Sequence, residues 1–406
     1  MVPSYLDENR FLERLDEITA AAQTPAGVSS VPALHRFDAF MAAATGIMMS
    51  PDSARSLAFV AASLHGMAVR LLPLIFRPAR TLDALHCICM LLVHALFSPS
   101  GGSAWHLLDM AMKTCISAGL HKEHGTGPHP ATNEAGEHDP AWLFWTLYVH
   151  DRSLSSVMDR PFSIQDSDIS VQIPTDDNGS PSEAIRAKRA ACRHLIRHAQ
   201  LISSFRDGGD SSSPVFSYSN LCFWRGSLAP AAEHLSVPVH EWTDFLDQQF
   251  CRALMCLIRP AALRKGTYAR AVDPESPLGN VADVERDAIA SCTRLIDRLY
   301  TRSRSDTCLS STFHDAYDAL SAVVMLVCLT RRRPGHVAAL TQVLNPINKA
   351  CAVITDISGR FHGLRAFQEL AMQLALRVMG DGDCGPDKLP LAVPRRLRQS
   401  LQASFA

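Results

Sequence analysis

The sequence is poor in aromatic residues and carries almost no net charge. Of its 406 residues 7% are aromatic, and 39 lysines and arginines balance 40 acidic residues to give a formal charge of −1. Because phosphate binding needs a basic surface, this balance argues against a chain that contacts nucleic acid along its whole length. No extended alternation of apolar and polar residues indicates strands, while alanine and leucine are abundant. We therefore predict an all-α fold.

Long apolar stretches of the kind that enter membranes are also missing. The longest runs, near 88–97 and 322–329, are shorter than the roughly 20 residues that cross a bilayer as a helix. Asp7 and Glu8 stand near the start of the chain, where a signal peptide would be apolar. We therefore expect a soluble, intracellular protein with no membrane partner.

The cysteines of this sequence do not have the spacing of a metal-binding site. The chain has 12 of them, and the closest pair, Cys87 and Cys89, would point to different sides of a helix. Most others stand alone on apolar faces, which indicates reduced cysteines used as small hydrophobic residues.

Histidines are dense in one loop, at His121, His124, His129 and His138. Without a second cluster or regular spacing, solvated histidines are favoured over a metal site. We find no glycine-rich phosphate loop and no nucleophile elbow either, and predict no metal and no cofactor.

Helical periodicity covers most of the chain. It predicts one helical domain over 1–379, with a loop or sub-boundary at 207–214, followed by a flexible tail over 380–406. The predicted helices outside the stretch considered next are 5–22, 33–49, 54–76, 81–97, 183–206, 242–259, 281–300, 313–329, 336–357 and 361–379.

The stretch from Trp105 to Pro174, called here the signature segment, has the most informative pattern. A first helix ends at Gly119, which is placed to adopt the left-handed conformation of a helix cap while the next residue folds back. A polar loop follows. Asp139 and Pro140 then form a helix start, and an Arg160-Pro161 turn leads into an extended tail.

Charged side chains fall inside the apolar face of the second helix, at His150 and Asp151. A buried carboxylate needs partners, and the candidates are Arg152, Arg160 and the N–H groups of the 162–166 turn. One interpretation is a pocket whose polar groups orient a ligand or act as acid or base. The favoured one is a buried ion pair that pins the turn to the helix. His150 would titrate near neutrality if partly exposed, but a core histidine is favoured.

Taken together, these residues resemble the fungal-specific transcription factor domain, the middle homology region of zinc-cluster regulators. The resemblance rests on ordered matches at Trp105, Gly119-Leu120-His121, Phe144-Trp145, Asp151-Arg152, Arg160-Pro161, Ile164, Asp166, Asp168 and Pro174. Two departures stand out. The family's paired arginines before Phe-Trp are Ala141 and Trp142 here, and its glycine before Arg-Pro is Asp159.

The resemblance implies an irregular multi-helix regulatory domain. The family's six-cysteine zinc cluster does not appear in this sequence, so we expect a regulator-like protein without its own DNA reader. It would sense a small apolar metabolite and act through a zinc-cluster regulator in the nucleus. Candidate pocket residues are Trp105, His150, Asp151 and Arg152. The alternative is a cytoplasmic, cofactor-free cyclase of secondary metabolism that folds its substrate in the helical pocket. A shortened gene product without activity of its own is a third option.

Overall fold

The computed structural model describes residues 8–24, 27–77, 80–123, 138–175, 183–207, 214–227, 239–263, 281–305, 309–331 and 336–379. The predicted 380–406 tail and most of the 207–214 loop lie outside these residues. Within them the chain forms 14 α-helices and no strand, which confirms the all-α prediction. The helices are α1 (Glu8–Ala21), α2 (Ala33–Met49), α3 (Pro51–Ser56), α4 (Ala58–Ile75), α5 (Thr81–Phe97), α6 (Ala104–Ser117), α7 (Pro140–Met158), α8 (Glu183–Asp207), α9 (Pro214–Gly226), α10 (Val239–Leu263), α11 (Val281–Ser303), α12 (Phe313–Arg331), α13 (His336–Arg360) and α14 (Arg365–Met379).

Most predicted helices shift by a few residues at one end or both, and two differences are larger or change the number of helices. The single helix predicted over 54–76 is two helices, because Leu57 leaves helical geometry (φ −116°, ψ 16°) between α3 and α4. The helix predicted to end at Arg259 continues through Pro260 to Leu263. A proline restricts the residue before it but does not always end a helix.

The chain divides into two compact units, and two of the divisions fall inside α7 and α8. Unit 1 comprises Met1–Asp151, Phe162–Ile196 and Asp306–Ser310, and unit 2 comprises Arg152–Pro161, Arg197–Ser305 and Ser311–Ala406. In unit 1, α2 packs against α1, α4 and α5. The main core cluster of unit 1 consists of Leu34, Phe37, Met41, Ala68, Leu71, Ile75, Cys87 and Leu91. Cys87 is fully buried and Cys89 nearly so, as expected for cysteines used as core residues.

In unit 2, α12 is the central helix and packs against α10, α11, α13 and α14. Nearly all of its residues are buried, including the carboxylates of Asp315 and Asp318. Buried carboxylates require compensation, and here arginines provide it: Arg302 Nη2 lies 2.7 Å from Asp315 Oδ1, and Arg252 Nη2 lies 2.6 Å from Asp318 Oδ2. These pairs fix α12 against α10 and α11.

Among the described residues two helices, α4 and α12, are long and apolar enough to cross a membrane by length and composition. The apolar runs near 88–97 and 322–329 are shorter than these helices, and the absence of a membrane partner stays a prediction. For α12 the apolar side chains are buried inside unit 2, as in the core helix of a water-soluble protein. Helix α4 is different, since only Ala61, Ala68, Leu71 and Ile75 are buried.

Candidate functional site

One helix cap lies at the C-terminal end of α6, and another lies at the N-terminal end of α7. At the end of α6, Gly119 has φ 72°, and the Leu120 N–H donates to the Cys115 carbonyl at 3.1 Å. This is the Schellman arrangement predicted from the sequence. At the start of α7, Asp139 Oδ1 accepts from the N–H groups of Ala141 (3.0 Å) and Trp142 (3.1 Å). The predicted helix end and helix start are both confirmed.

The aromatic face of α7 holds residues 163–174, called here the tail segment, which is irregular apart from a short 3-10 helix at Asp166–Asp168. Trp145 packs edge-on against Phe144 and Tyr148, with ring centroids 5.2 and 5.1 Å away. Trp145 Nε1 donates to the Gln172 carbonyl at 3.1 Å, and the Tyr148 hydroxyl donates to the Asp166 carboxylate at 3.0 Å. Trp145 and Tyr148 therefore pack against neighbouring rings and also donate hydrogen bonds to the tail segment.

The Asp151 carboxylate is fully buried and accepts two kinds of bond from Ser163. The Ser163 hydroxyl lies 2.7 Å from Oδ1, and the Ser163 N–H lies 3.3 and 3.2 Å from the two oxygens. The prediction that the 162–166 turn supplies N–H groups to Asp151 is confirmed. Arg152, also fully buried, donates from Nε to the Ser203 hydroxyl at 2.8 Å. Asp151 and Arg152, which are consecutive residues of α7, therefore hydrogen-bond to different residues, Ser163 and Ser203.

The turn after α7 forms without the family's glycine. Asp159 has φ 55°, a left-handed conformation that a non-glycine residue adopts at a cost. The Arg160 N–H then donates to the Ser155 carbonyl at 2.8 Å, the same cap that follows α6. The Arg160 carbonyl accepts from Arg206 Nη1, also at 2.8 Å. Asp159 therefore makes the turn itself.

The tail segment is also bound to the chain that follows α6. The His121 carbonyl accepts from the N–H groups of Ser170 (3.0 Å) and Val171 (3.1 Å), and the Glu123 N–H donates to the Ser170 hydroxyl. At the end of the tail segment, the Pro174 carbonyl accepts from Arg193 on α8. The end of α6 and the tail segment are thus joined mainly through backbone atoms.

Of the four loop histidines, His124 and His129 lie outside the described residues, and the other two are buried. The His138 ring stacks on His86 at 4.6 Å and lies 3.8 Å from the Asp83 carboxylate. Burial, with a smaller contribution from nearby His86, lowers the pKa of His138 to about 3. The expectation of solvated loop histidines was therefore wrong for His121 and His138, because the chain folds back and covers both.

The candidate pocket residues lie in different surroundings. Trp105 is half-buried on α6, and His150 is half-buried on α7 in unit 1. Burial lowers the pKa of His150 to about 4, so titration near neutrality is not expected. Asp151 belongs to unit 1 and Arg152 to unit 2. A shared ligand pocket for these four residues stays a prediction.

Unit 2 contains a cleft that the sequence analysis missed. Between its side chains the cleft leaves about 10 Å³ for the centre of a water molecule, and the empty space is about 330 Å³ when the open solvent above them is included. Residues of α7, α8, α10 and α12 line it: Ser153, Ser156, Val157, Ile202, Arg252, Met255, Cys256, Asp318 and Ser321.

The polar groups of this cleft differ in how they are satisfied. Arg252 Nε lies 2.9 and 2.8 Å from the two Asp318 oxygens, and Gln248 donates to both Asp318 and Asp315. Burial opposes the charge of Arg252, but Asp318 outweighs it, and the pKa of Arg252 is raised. By contrast, the buried Ser156 hydroxyl has no hydrogen-bond partner among the residues that the structure describes. The sequence feature that could have predicted this cleft is the presence of charged residues, Arg252 and Asp318, inside the apolar faces of α10 and α12.

Comparison with known families identifies the signature segment. The model of the fungal specific transcription factor domain matches residues 5–219, just over half of the chain. The chain belongs to this family. The match covers α1 to α8 and the first part of α9, with both helix caps, the tail segment and the α7 and α8 sides of the cleft. Helices α10 to α14 lie beyond it.

Similar proteins are named as regulators of transcription or of metabolism. The positive regulator of purine utilization of Emericella nidulans is 28% identical over 120 residues, which is 23% of this chain and 11% of that protein. Protein STB5 of Saccharomyces cerevisiae is 28% identical over 94 residues, 23% of this chain and 12% of that protein. An uncharacterized transcriptional regulatory protein of Schizosaccharomyces pombe is 23% identical over 247 residues, 56% and 30% of the two chains. Each match thus spans a third or less of the relative's length. No solved structure matches the chain.

Proposed function

We propose that this chain is the regulatory domain of a nuclear transcriptional regulator. The match of the fungal-specific transcription factor domain over residues 5–219 carries this proposal. The geometry supports it, because the matched residues form one bonded arrangement of helix caps, aromatic face and tail segment rather than a set of solvent-facing catalytic groups. No observation among the described residues favours the cyclase alternative.

We further propose that the domain responds to a small metabolite that binds over the unit 2 cleft, with its polar group in the narrow part beside Ser156. The mixed lining supports a ligand with an apolar body and one polar group. Val157, Ile202 and Met255 offer apolar contact, and the Ser156 hydroxyl is a buried group that gains a hydrogen bond when such a ligand binds. The carboxylate and guanidinium beside them neutralise each other, so the ligand carries no net charge. A regulator that contacts DNA would transmit the response.

The experiment is paired transcript and metabolite profiling of a host strain that lacks this chain. The proposal predicts a coordinated change in a set of transcripts, and full recovery when the wild-type chain is restored. Unchanged transcripts together with one accumulating intermediate would contradict regulation and favour an enzyme.

The cleft is tested in the same strain with Ser156→Leu, which fills the space beside Val157 and removes the hydroxyl. We expect it to abolish the transcript response to growth conditions while protein levels stay normal. The control is Ser204→Leu at an exposed position of α8. Normal responses from both variants would refute the cleft while leaving the regulatory role intact.

A further inference from the structure

Three arginines line one recess of unit 2, called here the arginine recess. Arg225 comes from the end of α9, and Arg294 and Arg298 lie one turn apart on α11. The lining is completed by Asp247, Phe250, Ser291 and Leu295. Between these side chains the recess leaves about 10 Å³ for the centre of a water molecule, and the empty space is about 210 Å³ when the open solvent above them is included. The lining residues all lie beyond the family match, and the cleft beside Ser156 shares none of them.

The Asp247 carboxylate holds two of these arginines in place. Its Oδ1 lies 2.5 Å from Arg225 Nη2, and its Oδ2 lies 2.5 Å from Arg298 Nη2. The Arg225 guanidinium also lies over the Phe250 ring, 4.8 Å from the ring centroid. Arg298 Nε lies 3.1 Å from Asp244 Oδ1. Because each guanidinium has five N–H groups, both arginines keep donors beyond these contacts. They are therefore fixed in direction and still able to bind an anion.

Arg294 differs from the other arginines of α11. Arg286, Arg298 and Arg302 each lie 2.5–2.8 Å from a carboxylate oxygen. Arg294 has no carboxylate partner among the described residues, and its Nη2 donates to the neutral Ser291 hydroxyl at 3.0 Å. It also lies one turn from Arg298, an arrangement in which like charges repel. The recess therefore holds one guanidinium whose charge is not balanced by a neighbour.

The charges and donors of the recess favour a phosphate group over a carboxylate. The three guanidiniums outweigh Asp247 and Asp244 by one positive charge. A carboxylate has only two oxygens, and Asp247 already places such a group between Arg225 and Arg298. A phosphate group carries about −1.5 to −2 charges near pH 7 and has at least three acceptor oxygens, which suits three guanidiniums. A recess of this size suits a terminal phosphate, whereas a nucleic acid backbone needs an extended basic surface.

We propose that the arginine recess binds a small molecule through its phosphate group, either free phosphate or a phosphate monoester. The anion lies at the mouth of the recess and supplies the counter-charge that Arg294 lacks. Arg225 and Arg298 donate to its remaining oxygens. Since only the folded chain brings these arginines together, binding also stabilises unit 2. The proposal depends neither on the regulatory role nor on the cleft beside Ser156.

The test is isothermal titration calorimetry of the full chain at about pH 7.5 and at low ionic strength, because salt screens exposed charges. The probes are inorganic phosphate and glycerol 2-phosphate, each up to about 10 mM. We expect wild type to bind at least one probe with a Kd below about 1 mM. Arg294→Gln leaves the ion pairs of Asp247 in place and should weaken binding at least about tenfold, the loss expected for one charged hydrogen bond. The control is Arg286→Gln, at an exposed position of the same helix outside the recess. It makes the same change in net charge and should bind like wild type.

Urea unfolding separates ligand binding from a structural role of Arg294. Without phosphate, Arg294→Gln should unfold at the same urea concentration as wild type, because no carboxylate loses its partner. Tighter binding of glycerol 2-phosphate would assign the recess to a phosphate monoester, and tighter binding of inorganic phosphate would assign it to the free ion. Absence of binding of both probes overturns the proposal, as does equal weakening by Arg294→Gln and Arg286→Gln, which would show unspecific attraction of anions. A lower urea midpoint of Arg294→Gln with unchanged phosphate affinity would show that Arg294 is structural and also overturn it.

Discussion

Acid should destabilise the protein through His94, because burial makes protonation of this histidine unfavourable in the folded state. His94 lies on α5 and is fully buried; its ring stacks at 4.8 Å on His65 of α4, and its Nδ1 is 3.4 Å from the Thr45 hydroxyl of α2. Burial, and then the neighbouring His65, lowers the pKa of His94 from 6.5 to about 4.

The sign follows from where the proton binds. Below pH 6.5 the unfolded chain protonates this histidine while the folded chain does not, so stability is complete above pH 6.5 and falls as the pH drops towards 4. A pKa difference of this size corresponds to about 3 kcal/mol of unfolding free energy.

The perturbation is His94→Gln, which cannot titrate and keeps a group that can bond to Thr45. Urea unfolding of both proteins is measured from pH 7.5 to pH 4. At neutral pH we expect the variant to be less stable, and its deficit relative to wild type should shrink by about 3 kcal/mol by pH 4. The control is His106→Gln, because His106 is exposed on α6. A deficit that does not change with pH would refute the argument that His94 is held neutral by burial.

Three further variants test the arrangement around α7 and α1 by urea unfolding. Asp159→Gly should raise the unfolding free energy by about 0.5–1 kcal/mol, because relief of the left-handed backbone exceeds the entropy that glycine adds. Ser163→Ala should lower it by about 1.5–3 kcal/mol, since the buried Asp151 carboxylate loses a hydrogen bond. Arg14→Met should lower it by about 3 kcal/mol, because Asp38 is fully buried with Arg14 Nη1 2.6 Å away.

Two of these variants have a matched control. Ser167→Ala, at an exposed position of the tail segment, should be neutral. Asp159→Val should destabilise, because a β-branched residue tolerates positive φ poorly. Equal effects of Ser163→Ala and Ser167→Ala would show that the bond to Asp151 contributes nothing, and a destabilising Asp159→Gly would remove the strain argument. A neutral Arg14→Met would mean that His86, 2.8 Å from Asp38, suffices as its partner.

Local sequence rules predicted the elements whose ends carry their own chemistry. The observed α2 has the predicted limits because Pro32 precedes it and Ser50-Pro51 follows it. The cap at Gly119 was also predicted from the residue itself, since glycine favours the left-handed conformation that ends a helix. The break at Leu57 was not predictable in this way, since an apolar residue gives no local reason to leave the helix.

The polar network of unit 2 lay beyond such rules because its partners are far apart in the chain. Gln248 and Asp318 are separated by 70 residues, and their pairing depends on how α10 and α12 pack. The exposure of α4 is the opposite case. A helix that is apolar on all sides predicts burial on all sides, and the structure covers only one of them.

The way in which the tail segment is held has a consequence for how its sequence can change. Most of its bonds use backbone atoms: the N–H groups of Ser170 and Val171, and the carbonyl of Gln172. Any residue except proline supplies the same N–H group, and every residue supplies the same carbonyl. Exchange of the side chains of Val171 and Gln172 should therefore be tolerated, whereas Ser163, Asp166 and Ser170 also bond through their side chains. Adding or removing one residue between Ser163 and Gln172 would shift every later group out of reach, so the length of this stretch is constrained even where the identity of its residues is not.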